Sequence, residues 1–76
     1  MDAYEYYIEE LHKYPKNHYR FLAYKKTIDS HISGLRFLAL DKKGTNIAKF
    51  CNMEANRYQK LLDLAIIAQD KRDYEK

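Results

Sequence analysis

The stretch Thr45–Leu62, TNIAKFCNMEANRYQKLL, decides how this chain folds, because it reads either as one helix or as two. Nothing in it alternates as a strand would. Its apolar residues Ile47, Phe50, Cys51, Ala55, Tyr58, Leu61 and Leu62, with Ala65 just beyond, recur at the short steps of an amphipathic helix. The same residues also suit two helices separated by a tight turn at Asn52, since asparagine enters left-handed geometry more readily than other residues with a Cβ. A helical Asn52 makes the segment one rod. A left-handed Asn52 makes it two helices packed across a turn.

Working outward, Asp41-Lys42-Lys43-Gly44 reads as a helix exit, with lysines at the negative end and Gly44 supplying a left-handed cap; Thr45 then caps the next helix. Before it, Tyr19, Phe21, Tyr24, Ile28, Ile32, Leu35, Leu38 and Ala39 form a stripe that predicts one long helix over about 16–40. Ser33-Gly34 is its weak point, since an interior glycine is disfavoured by about 1 kcal/mol relative to alanine. At the start, Asp2 and Glu5 have capping-box spacing, and Tyr4, Tyr7, Ile8, Leu11 and Tyr14 share a face. Pro15 ends that helix and favours the first turn of the next. Downstream, helical composition runs to about Arg72, and the charged Asp70–Lys76 is expected to fray. The expectation is an all-α fold, a small bundle of three to four helices in a single domain 1–76. The helices are 2–14, 16–40 (in two pieces if Gly34 breaks it) and 45–72, the last kinked or broken near Asn52.

Seventy-six residues sit near the lower size at which one core sustains a fold. Eight Tyr, three Phe and no Trp supply much of the apolar surface, and so many half-polar rings leave room for a homodimer that buries some of them. A single cysteine, Cys51, excludes an internal disulfide, and no apolar leader or membrane span is visible, so a cytoplasmic location is expected. Charge is uneven. Four acids and one lysine occupy residues 1–13, whereas 16–43 hold seven basic residues against Asp29 and Asp41. A basic middle is compatible with phosphate contact.

Within Thr45–Leu62, Ala48 supplies the small residue that a helix-turn-helix needs where its helices approach. Asn52 stands at the turn four positions later. Ile47, Cys51 and Met53 supply buried flanks, and Tyr58 and Leu61 the inward positions of the second helix. On these residues the chain resembles the helix-turn-helix class. With the Tyr-Pro break, the basic middle helix and the Lys-Lys-Gly exit, it looks like sigma-factor region-four domains and small phage late-gene transcriptional regulators. It departs at Asn52, where glycine is usual, and at Phe50, a site normally facing solvent. The resemblance implies a transcriptional regulator that binds duplex DNA through the second helix of the motif. Glu54, Ala55, Asn56, Gln59 and Lys60 would then meet the major groove, where Asn and Gln pair with adenine, Lys with guanine and Glu with cytosine. Arg57, Lys49, Lys42, Lys43 and Arg36 would hold phosphates. The plainer reading is that these polar residues only solvate a helix face.

Catalysis and metal binding find little footing. His12, His18 and His31 lack the i, i+4 spacing of helical zinc ligands, Cys51 has no evident base, and two glycines ten residues apart make no phosphate loop. No cofactor or metal is expected, and the chain is read as a non-enzyme. The alternative function is a helical adaptor or inhibitor that binds another protein through its acidic, tyrosine-rich first helix at Tyr6, Glu9 and Glu10. In that reading Tyr4, Tyr7 and Tyr24 complete the core and Tyr6 stays outside.

Overall fold

The computed structural model describes residues 2–75, with side chains through residue 71. They form three helices: α1 (Ala3–Leu11), α2 (Tyr19–Asp41) and α3 (Asn46–Glu75).

Each helix end has a local cause. Asp2 is extended, and its Oδ1 accepts the Glu5 N–H at 2.8 Å, as the capping spacing predicts. α1 ends at Leu11, earlier than Tyr14. Its last turn tightens as the His12 and Lys13 amides bond to Glu9 and Glu10, and the Leu11 carbonyl accepts Gln69 Nε2 at 2.6 Å. α2 starts at Tyr19 rather than near residue 16, because His18 is extended and its Nδ1 accepts the Arg20 N–H at 3.0 Å. Gly34 does not break α2; buried Ile28, Ile32 and Ala39 on either side outweigh the glycine's cost. Gly44 takes φ +85, and Thr45 Oγ1 accepts the Ala48 N–H at 3.2 Å, so the exit and the cap form as expected.

α3 runs unbroken through Asn52, and among the described residues only Gly44 has positive φ. The turn that a helix-turn-helix requires is therefore not formed. The reason lies in the buried positions Ala48, Cys51, Ala55, Tyr58, Leu62, Ala65 and Gln69. They alternate steps of three and four, which keeps one seam inward over the whole length only if the helix is continuous. Asn52 lies beside that seam, exposed, where nothing demands left-handed geometry. Two expected flanks change with it: Ile47 and Met53 are 53% and 69% exposed. Leu61 is half-buried, and its neighbour Leu62 takes the inward place. The helix also continues past Arg72 to Glu75, beyond the point where fraying is expected; Lys76 lies outside the described residues.

α2 answers with Phe21, Tyr24, Ile28, Ile32, Leu35 and Ala39, again at steps of three and four, so α2 and α3 form an antiparallel hairpin. α1 lies along one side of it. Tyr4 stacks on His31 (3.7 Å between ring centres) and Tyr7 on Tyr24 (5.2 Å), while Leu11 lies against Gln69 and Asp2 against Tyr58. The N-terminus of α1 therefore points toward the α2–α3 turn. Nine residues of helix extend about 14 Å, against a long axis of 48 Å. α1 covers the proximal hairpin only. Beyond it lies a second, thin core of Ala39, Ala48 and Cys51 with Leu35 against them.

Candidate functional site

The expected DNA-reading residues do not share a surface. Glu54 and Arg57 lie on the flank of α3 that faces α1; Lys49, Asn52, Asn56 and Gln59 lie on the opposite flank; Lys60 points away from both. Several are already engaged. Asn56 Oδ1 accepts Arg36 Nη1 at 3.3 Å, and Gln59 Nε2 donates to Asp63 at 2.9 Å. Lys42, Lys43 and Lys49 are exposed around the α2–α3 turn, with Lys42 3.8 Å from Asp41.

Arg57 is the hub of a network that fastens α1. Its Nη1 donates to Glu5 at 2.8 Å, its Nη2 to Glu54 at 2.9 Å, and Asp2 lies 3.8 Å away. The guanidinium also sits 4.5 Å from the Tyr58 ring centre. Hydrogen bonds to Glu54 and Glu5 raise its pKa further, so it is a permanent cation committed to protein carboxylates. The Tyr58 hydroxyl donates to Asp2 Oδ2 at 2.5 Å. That bond, then the Glu5 amide, holds the Asp2 carboxyl below its usual range. Burial first, and the Asp2 bond second, push the Tyr58 phenol up to about 12.

The tyrosine-rich face divides. Tyr4, Tyr7 and Tyr24 pack against the core, as expected, and Tyr6 and Glu9 are exposed. Glu10 is not. It is buried, with Lys13 Nζ at 2.7 Å, so it cannot serve as an exposed contact; being next to Leu11, it turns into the groove with it. The histidines act separately: His18 caps α2, His31 stacks on Tyr4, and His12 is exposed. Among the described residues no three His, Cys, Asp or Glu side chains converge as a metal site would, and no helix is long and apolar enough to cross a membrane.

The feature that sequence reasoning missed is apolar. On the α1-facing side, the hairpin seam that holds Tyr4, Tyr7 and Ile8 continues past the end of α1. α2 extends it with Leu35 and Leu38, α3 with Phe50 and Ile47. Phe50 is 62% exposed there, and Phe37 and Met53 stand at the outer rims at 73% and 69%. Leu40, also exposed, lies across the turn near Lys43 and Lys49. A signal was present: Phe50 departs from the helix-turn-helix pattern because it belongs to a face that pattern leaves polar. Of the six exposed apolar side chains between residues 37 and 53, Leu38, Ile47 and Phe50 border the seam, Phe37 and Met53 stand at its outer rims, and Leu40 lies on the far side.

No family model, curated protein or solved structure matches the chain.

Proposed function

We propose that this chain is a non-catalytic helical binding module that docks helices of a second polypeptide into the distal seam between α2 and α3. One observation carries the reading. The seam filled by α1 beside Tyr24, His31, Tyr58 and Leu61 continues as Leu35, Leu38, Ile47 and Phe50 with none of the described residues over it. Apolar helix faces of this kind are what helix-in-groove recognition uses, and aromatic anchors such as Phe50 carry most of the energy in it. The binding face thus moves from Tyr6, Glu9 and Glu10 to the far end of the hairpin. The test places a photo-crosslinking amino acid at Phe50, Tyr6 or Lys60 and irradiates the protein in cytosol. Adducts at Phe50 alone are expected; adducts at Tyr6 or Lys60 with none at Phe50 would move the surface elsewhere.

A second reading, duplex DNA as the partner of a phage-type transcriptional regulator, is favoured by the exposed Lys42, Lys43 and Lys49 at one end of the molecule. In this form it is charge-driven. Three phosphate contacts give a salt slope of only about 3, and Lys43→Ala lowers it by about one. Titration of short duplexes at two salt concentrations tests it, and absence of binding at low salt removes it.

A further inference from the structure

We infer that the second polypeptide is another copy of this chain, and that two hairpins join distal end to distal end, running antiparallel, as a four-helix bundle. The inference rests on the distal seam being the binding surface. The first argument is shape. Where α1 lies on the hairpin, the bundle has a third helix; where α1 stops, the thin core of Ala39, Ala48 and Cys51 has, among the described residues, only two helices and an open side. The uncovered length, from Glu54 to Asn46, is about two helical turns, and a second hairpin end offers two helices of the same length and apolar face.

The second argument is charge. Three carboxylates, Asp2, Glu5 and Glu54, surround the single guanidinium of Arg57 at the N-terminal end of α1. The hairpin turn carries Lys42 and Lys43 against Asp41. Superposed in parallel, two turns would bring like charges together. Antiparallel, with a two-fold axis through the seam, each basic turn comes to rest at the other copy's acidic end of α1, while Leu38, Ile47 and Phe50 of both copies meet between them. Area sets the strength. The apolar side chains that border the open seam, Leu38, Ile47 and Phe50, fall well short of the roughly 800 Å² per partner of a standard interface, so the association is weak. A dimer with a dissociation constant in the micromolar range is the expected outcome. Two 48 Å rods overlapping by those two turns would measure roughly 80 Å end to end.

Sedimentation velocity of the full chain from micromolar to millimolar concentration tests this. The expected result is a monomer–dimer equilibrium that Phe50→Asp weakens at least tenfold. Lys42→Glu with Lys43→Glu weakens it too, and Leu64→Asp, on exposed surface away from the seam, leaves it unchanged. A mixture of Ala3→Cys and Lys43→Cys chains should form the mixed disulfide in preference to either homodisulfide. A dimer indifferent to Phe50→Asp, or a preferred Lys43→Cys homodisulfide, overturns the arrangement. A monomer at every concentration overturns self-association. If Phe50 then still crosslinks to a different protein, the seam remains the binding surface; if it crosslinks to nothing, both readings fail.

Discussion

Replacing Leu62 and, separately, its neighbour Leu61 by alanine discriminates the two registers of α3. Leu62 is 1% exposed and belongs to the cluster that includes Ile8, Leu11, Ile28 and Ala65. Leu61 is half-buried and borders the open hollow with Ile8 and Leu64. Leucine-to-alanine changes in closed cores cost about 2–5 kcal/mol, and those that solvent can refill cost less. Leu62 is enclosed by three helices that cannot all relax, which places Leu62→Ala at about 3–4 kcal/mol and Leu61→Ala at about 1 kcal/mol. A chain of 76 residues has a total stability of roughly 4–11 kcal/mol, so the first change removes about a quarter of it or more and the second a smaller share. Urea unfolding followed by far-ultraviolet circular dichroism reads both, the midpoint shifting at nearly constant slope. A helix-turn-helix register makes Leu61 the inward residue. Leu61→Ala costing as much as Leu62→Ala, or more, would refute the continuous seam.

Other perturbations test the fastening of α1 and the starts of the helices. Arg57→Ala should destabilise modestly, because its partners are partly exposed and solvent screens them, with a smaller effect in high salt; equal stability at low salt would contradict its role as a hub. Because the folded-state pKa of Asp2 is depressed, its contribution is present above the unfolded carboxyl range and is lost as pH falls through the folded value. Acid titration of stability should therefore flatten in Asp2→Asn. Tyr58 has the opposite sign: raised to about 12, it stabilises below the ordinary phenol range and loses this as pH climbs from about 10 through 12. Tyr58→Phe should remove that alkaline loss, as unfolding curves across the range would record. His18→Ala should cost about 1 kcal/mol and leave the first turn of α2 exchanging its amide protons faster, whereas His18→Asn keeps the cap.

Local chemistry was legible in the sequence where a residue acts on its own backbone. Asp2, Gly44 and Thr45 each cap as their types and spacing indicate, and the tyrosines of α1 divide into core and surface as expected. The two boundaries around Pro15 were not legible, because they depend on side chains acting at a distance or out of type. Gln69, buried in α3, takes the last carbonyl of α1, and a histidine caps α2. Asn52 was ambiguous because its own preference is weak and the decision lies with the seven inward positions from Ala48 to Gln69, whose register a glance at Ile47, Met53 and Leu61 misplaces. Small residues (Ala48, Cys51, Ala55, Ala65) form much of the seam of α3, so the larger apolar residues beside them draw the eye outward. The distal apolar face was hidden in part for the same reason: Ile47 and Met53 were assigned to a core that a second turn would have created.

Solvent relaxation by a soluble nitroxide, read residue by residue in dilute protein where only monomer is present, tests the open seam most directly. Leu38, Ile47, Phe50 and Met53 should broaden as strongly as exposed Lys60, while Ala48, Cys51, Ala55 and Leu62 are spared. Sparing of Ile47 and Met53 together with Cys51 would mean that the chain turns at Asn52 and that the seam does not exist.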